Sequence, residues 1–68
     1  MSNFNLTDYL DELSERMARH KVIDISRASG INRETVRAVR NYGARCNPSW
    51  QTVQQIVDAL DAMEGVHP

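Results

Sequence analysis

Cysteine, aromatic side chains and long apolar runs are all scarce in this chain of 68 residues. The single cysteine, Cys46, rules out a disulfide within the chain and fits a reducing compartment. No apolar run approaches the ~20 residues that a membrane-spanning helix needs, and the polar, acidic N-terminus is unlike a signal peptide. We therefore expect one cytoplasmic domain over residues 1–68, close to the smallest size that folds without disulfides or metals.

Residue patterns that would indicate an enzyme or a metal site are also missing. No side chains are spaced as a nucleophile with its base, as an acid–base pair or as a phosphate-binding loop. His20 and His67 have no companion ligands at metal spacing, and Cys46 has no base near it in the sequence. The sequence thus predicts a protein with no enzymatic activity, cofactor, metal or small-molecule ligand.

The formal net charge of −1 conceals an uneven distribution along the chain. Residues 1–19 sum to −2, residues 20–45 to +4 and the remaining residues to −3. A basic middle between acidic ends suits a protein that presents one surface to an anion. The sequence pI of about 6.0 is unlike that of a non-specific DNA-coating protein, so DNA binding would depend on where the basic residues lie.

The N-terminal segment predicts an amphipathic helix. It begins at Asn5 or Thr7, whose side-chain oxygens can accept hydrogen bonds from free backbone N–H groups, and it ends near Arg19. Its acidic residues come early and its basic residues late, as the helix dipole favours. One apolar stripe is expected to face the core: Leu6, Leu10, Leu13 and Met17, with Tyr9 beside it.

The middle of the chain predicts two shorter helices and a loop. The second helix covers residues 22–29 and stops at Gly30, which can adopt the positive φ of a helix end. The third helix is capped by Asn32 and runs to about Tyr42. A loop is expected over residues 41–48, and no segment alternates as a strand would.

A fourth helix is predicted after that loop. It begins at Pro48 or Ser49 and ends near Met63, which leaves residues 64–68 as a frayed tail. Trp50 is expected to lie in the core and to clamp this helix to the first. The residues expected on the core face are Trp50, Val53, Ile56 or Val57, and Leu60.

Residues 22–41, VIDISRASGINRETVRAVRN, are the most informative stretch. A helix-turn-helix needs a small residue where its helices touch, a glycine in the turn and buried apolar residues that hold the second helix. The residues at these positions are Ser26, Gly30, Ile31, Val36 and Val39. Because any two packed helices share some of this pattern, the flanking helices decide the interpretation.

With its flanking helices, the stretch resembles the lambda-repressor-like helix-turn-helix family of Cro and XRE-type phage and bacterial repressors. In that family a helix packs across the motif, and an asparagine-proline-serine segment opens a fourth helix. This chain has both, the second as NPSWQTVQQIVDAL, so the resemblance covers residues 6–60. The family's usual fifth helix is missing or reduced to residues 63–68. DISRASG and TVRAVRN also resemble Lac-repressor-type headpieces, but that family opens directly on its motif.

The resemblance implies an all-α, compact domain of four main helices with a central helix-turn-helix that binds double-stranded DNA. It implies base contacts, in the major groove, by Asn32, Arg33, Glu34, Arg37, Ala38 and Asn41. It implies phosphate contacts by Lys21, Tyr42, Arg45, Asn47 and Ser49.

Three alternatives stay open at this point. Arg33 and Arg37 also fit a solvated face paired to Glu34, an interaction worth little on an exposed helix. Glu34 fits either a cytosine contact or the positioning of an arginine. Arg40 fits either a phosphate contact or a salt bridge.

We expect a transcriptional regulator, a repressor that occupies a palindromic operator as a homodimer and blocks polymerase. The dimer surface is expected to be formed by Leu60, Met63 and Val66, at one end of the fold. The alternative is a protein-interaction module on the same scaffold, of the antitoxin or anti-repressor kind. Salt dependence separates the two, because phosphate contacts make DNA affinity fall steeply with salt.

Overall fold

The computed structural model describes residues 5–65, which form four α-helices, a 3₁₀ helix and no strand. In chain order the elements are α1 (Leu6–Met17), α2 (Val22–Ser29), α3 (Arg33–Tyr42), the 3₁₀ helix (Gly43–Cys46) and α4 (Trp50–Glu64). The predicted all-α, four-helix architecture is confirmed. Among the residues described, no helix is both long enough and apolar enough to cross a membrane.

Polar side chains cap three of the four α-helices and explain where they begin. Asn5 rather than Thr7 caps α1, and Ser49 rather than Pro48 caps α4. In each case a side-chain oxygen accepts a hydrogen bond from an otherwise unpaired backbone N–H of the first turn. The capping bonds are Asn5 Oδ1 to the Thr7 amide (2.9 Å), Asn32 Oδ1 to the Glu34 amide (2.7 Å) and Ser49 Oγ to the Thr52 amide (3.2 Å).

The segment expected to be an open loop contains the 3₁₀ helix instead. Gly43 ends α3 with φ of 55° and ψ of −123° and is buried against α1. A Cβ atom at this position would lie 2.9 Å from Asp11 Oδ1 and 3.3 Å from the Leu10 carbonyl oxygen. The absence of a side chain therefore lets the chain turn directly against α1 and coil once more before α4.

Every α-helix contributes to one apolar core. Its buried residues are Leu10, Leu13, Met17, Ile25, Val36, Val39, Val53, Ile56, Ala59 and Leu60. The predicted stripe of α1 is confirmed except at Leu6, which is 51% exposed. Leu6 is the first residue of α1 and lies a full turn before Leu10, where burial begins.

The prediction that Trp50 lies in the core is wrong, because its side chain is 62% exposed. Trp50 is the first residue of α4, three positions before the first buried one, Val53. At about 100° per residue, it also lies roughly 90° around the helix from the centre of the face formed by Val53, Ile56 and Leu60. Ala59, which the sequence pattern did not assign to the core face, is buried together with these three residues.

Ion pairs join the C-terminal ends of α1 and α4. Because Glu64 takes part in them, the prediction that the frayed tail begins at residue 64 is wrong. Arg16 bonds through Nη2 to Asp61 (2.5 Å) and through Nε to Glu64 (3.0 Å), and His20 Nε2 lies 2.8 Å from the other Glu64 oxygen. The hydrogen bonds from His20 and Arg16 hold the pKa of Glu64 below its usual range. Glu64 is thus the last residue of α4, and residues 66–68 of the predicted tail lie outside the described residues.

Candidate nucleic-acid interface

The turn between α2 and α3 is held by hydrogen bonds as well as by its glycine. Gly30 has φ of 76° and ψ of 11°, a left-handed conformation that ends α2. The Ser26 hydroxyl donates to the Ile31 carbonyl (2.5 Å), and the Ile31 amide donates to the Ser29 hydroxyl (3.2 Å). Ile31 itself packs against the core. The small residue, the glycine and the inward-facing isoleucine expected here are therefore all present, and together they fix how α3 leaves α2.

Two buried valines determine which side of α3 faces outward. Val36 and Val39 are essentially inaccessible to solvent. At about 100° per residue, the direction opposite them is occupied by Glu34, Arg37 and Asn41, which follow each other at intervals of three and four. All three side chains are exposed, and Arg33 is exposed on the flank nearest Arg37. The sequence therefore places a mixed stripe of donors and acceptors along the solvent face of α3.

The charges on this stripe have no ionic partner in the structure. The ion pairs found among residues 5–65 involve Arg16 and His20 with Asp61 and Glu64, all of them between α1 or the turn after it and α4. Arg33 and Arg37 form no salt bridge with Glu34 or with any other described residue. The alternative in which the two arginines are internally paired is thus not observed, and their donors remain available to a ligand.

Two of the predicted contact residues are already engaged within the fold. The side-chain oxygen of Asn32 accepts the Glu34 amide proton, which leaves its NH₂ group available. The Ser49 hydroxyl accepts from the Thr52 amide and donates to Thr52 Oγ1 at 2.9 Å. Both residues are exposed, and Ala38 is half-buried.

The other predicted phosphate-binding residues are exposed at helix ends. Lys21 precedes α2, which has no side-chain cap, so the first N–H groups of α2 are unpaired by side chains. Tyr42, which is 57% exposed, ends α3, and Arg45 is exposed in the 3₁₀ helix. Asn47 follows in a left-handed conformation with φ of 50°. Tyr42, Arg45 and Asn47 thus lie on the segment that continues from the C-terminus of α3. Lys21 lies at the N-terminus of α2, away from the turn that joins α2 to α3.

Arg40 has a role that sequence reasoning missed. Of its two alternatives, the salt bridge is not observed within residues 5–65, and its guanidinium lies against the end of α1. Its Nε donates to the Met17 carbonyl (3.2 Å) and its Nη2 to the Ala18 carbonyl (3.3 Å), while the Ser14 hydroxyl donates to the Arg40 carbonyl (2.5 Å). Arg40 therefore caps the C-terminus of α1, where a cation also complements the helix dipole.

Other chemistry is not indicated within residues 5–65. No group of three or more His, Cys, Asp or Glu side chains is arranged there to hold a metal ion, and His67 lies outside this range. The Cys46 thiol donates to the Gly43 carbonyl (3.2 Å). Burial raises the pKa of the Cys46 thiol, which disfavours the reactive thiolate.

The structure removes one residue from the predicted dimer surface. Leu60 is fully buried in the core and has no surface left for a second copy. Met63 packs against the core but is only half-buried. The third predicted residue, Val66, lies outside the described residues.

Comparison with known proteins adds no relative to this picture. No protein-family model, no curated protein and no solved structure matches the chain. The function proposed next is therefore supported by the residues and their geometry alone.

Proposed function

We propose that this protein is a sequence-specific DNA-binding transcriptional regulator whose α2 and α3 act as a lambda-repressor-like helix-turn-helix. The observation that carries the proposal is the outer stripe of α3. Arg33, Glu34, Arg37 and Asn41 are exposed together and free of ion pairs, while Val36 and Val39 anchor the opposite side of the same helix. A helix held on one side by the core and lined on the other by polar side chains has the form of a DNA-recognition helix.

The side chains of the stripe match the hydrogen-bonding groups of the major groove. The planar guanidinium of Arg37 or Arg33 can donate to both O6 and N7 of a guanine. The Glu34 carboxylate can accept from the N4 amine of cytosine, and Asn41 can bond both donor and acceptor of adenine. Such bidentate pairs each discriminate against a wrong base by about 1–3 kcal/mol.

Exposed basic and polar residues at the ends of α2 and α3 are proposed to fix the helix on the DNA backbone. Lys21 and the unpaired N–H groups that open α2 suit one phosphate, and Tyr42, Arg45 and Asn47 suit a second position beyond α3. Because residues 20–45 sum to +4 while the rest of the chain is acidic, the DNA is drawn to this part of the molecule.

The mode of action we propose is repression by occupancy of an operator in the cytoplasm. A single module of this kind buries about 600–1,000 Å² on DNA, which is small for tight and specific binding. Two copies on half-sites about one helical turn apart combine their contacts, so a palindromic operator is expected.

Selection of bound sequences from a random duplex pool tests the proposal. We expect a palindrome to be recovered, and the double variant R33A/R37A to bind it about 100-fold or more weakly, because two base contacts are lost. The matched control is R19A, which removes an exposed arginine from the turn after α1 and is expected to leave affinity nearly unchanged.

Salt titration gives an independent reading of the phosphate contacts. The logarithm of the affinity should fall linearly with the logarithm of salt concentration, and R45A should reduce that slope by about one. A random pool that yields no motif, or a double variant that binds like wild type while circular dichroism shows it folded, would refute DNA reading by α3. Either result would favour the protein-interaction alternative.

A further inference from the structure

Glu34 is the most central charged side chain on the outer face of α3. At about 100° per residue, it lies about 10° from the direction opposite the buried Val36 and Val39. Arg37 lies about 50° from that direction and Arg33 about 90°. Glu34 is exposed and is the second residue of α3. Because the first turn of a recognition helix enters the major groove, a carboxylate leads α3 into the groove and the two guanidinium groups lie to one side of it.

The Glu34 carboxylate is not used inside the fold. It forms no hydrogen bond and no ion pair with any side chain from residue 5 to residue 65. Arg37 stands three positions later, a spacing at which ion pairs form along a helix, and yet the two are unpaired. The carboxylates of Asp61 and Glu64, by contrast, are both held by Arg16. Glu34 therefore keeps its full capacity to accept hydrogen bonds from a ligand.

A carboxylate in the major groove is unfavourable on most DNA sequences. The phosphates on both sides of the groove repel it, and the base edges displace the water that solvates it. Guanine and thymine present acceptors to the groove, which repel it further. Adenine presents the N6 amine beside the N7 acceptor, whereas cytosine presents its N4 amine alone. Cytosine is therefore the base that compensates the charge of Glu34 best.

We propose that Glu34 sets the specificity of α3 by excluding duplexes that lack a cytosine at the base it meets. Phosphate contacts attract DNA of any sequence, so they do not discriminate. An acid that is repelled by every base but one supplies the discrimination, because specificity is a difference between affinities and a repulsive element increases it. The inference rests on the proposed function, since α3 must read the groove. It concerns one base position only, so its failure and the failure of DNA binding are separate results.

The variant E34Q tests the proposal, because it removes the charge and keeps the length of the side chain. A glutamine amide both donates and accepts, which matches N7 and N6 of adenine. Selection from a random duplex pool should therefore recover cytosine at one position of each half-site with the wild-type chain and adenine at that position with E34Q. In competition between the two duplexes, the wild-type chain should prefer the cytosine duplex about tenfold or more, and E34Q should reverse that preference. E34A should show no preference at this position.

Affinity for a duplex of unrelated sequence measures the exclusion itself. Loss of one repelled charge should let E34Q bind such a duplex about threefold more tightly than the wild-type chain does, and an equal or lower affinity would contradict exclusion by charge. The matched control is D24N, because Asp24 is also an exposed carboxylate in the first turn of a helix, α2. D24N removes the same charge and the same interaction with a helix dipole, and it should leave the base preference unchanged.

Three results of the selection would overturn the proposal. The first is E34Q that circular dichroism shows folded and that selects the same bases as the wild-type chain. The second is a loss of preference confined to the base that R37A also ceases to select, which would show that Glu34 only orients Arg37. Both of these leave DNA reading by α3 intact. The third is a wild-type chain that yields no motif, which would refute the proposed function and this inference together.

Discussion

Substitution of Gly43 by alanine is expected to be among the most damaging single changes available outside the apolar core. With φ of 55° and ψ of −123°, Gly43 adopts a backbone conformation that side chains disfavour and that lies outside the left-handed helical region. Such conformations cost a non-glycine residue about 1–3 kcal/mol. Gly30 offers a matched comparison, because its φ of 76° and ψ of 11° lie inside the left-handed region.

The surroundings of the two glycines separate them further. A Cβ at Gly43 would lie 2.9 Å from Asp11 Oδ1, which can swing away, and 3.3 Å from the Leu10 carbonyl oxygen, which belongs to the backbone of α1 and must be displaced. A Cβ at Gly30 meets no atom within 4 Å. We therefore expect G43A to cost about 2–3 kcal/mol and G30A about 1 kcal/mol.

These magnitudes are large for so small a domain, whose total stability is about 3–5 kcal/mol. Urea and thermal unfolding followed by circular dichroism at 222 nm measure them, since the exposed Trp50 is a poor reporter of folding. At about 4–8 °C per kcal/mol, G43A should lower Tm by roughly 10–20 °C and G30A by roughly 4–8 °C. Equal losses for the two variants would refute the reasoning, because they would show that the contact with α1 and the ψ of Gly43 contribute nothing.

Two further predictions concern side chains that join helices. R40A should cost about 1–2 kcal/mol, because the Met17 and Ala18 carbonyls each lose the hydrogen bond from the guanidinium. R37A removes an exposed side chain without an ion pair and should cost less than about 0.5 kcal/mol. Equal urea midpoints for the two variants would contradict the capping role. The pKa of Glu64 is lower in the folded chain than in the unfolded chain, so its ionised carboxylate stabilises the fold. This contribution is fully present above the unfolded pKa of about 4.3 and is lost as pH falls through the folded pKa. The stability difference between wild type and E64Q should therefore be greatest above the unfolded pKa of about 4.3 and should shrink as pH falls through the lower, folded pKa; a difference independent of pH would show that the ion pairs of Glu64 do not stabilise the fold.

The sequence determined the helices of this protein almost residue by residue. Residues 22–29 were predicted as the second helix and form α2, and Asn32 and Gly30 bound the turn as expected. These features follow from interactions within four residues of each other, such as a cap, a positive φ and the spacing of apolar side chains. The outward stripe of α3 was also predictable, because the two buried valines fix the helix rotation.

Only the tertiary structure determined the contacts between one helix and another. Ser14 and Arg40 are 26 positions apart in the sequence, and Arg16 and Glu64 are 48 apart, so no local pattern predicts the hydrogen bonds between them. Trp50 is expected in the core by sequence, yet it precedes the first buried residue of α4 and its side chain is 62% exposed. From the sequence, Gly43 is predicted only to end a helix. The structure adds that α1 packs directly against it. Local interactions select the helices because they act within a turn, whereas the direction in which each helix leaves its neighbour is set by the sum of all the distant contacts.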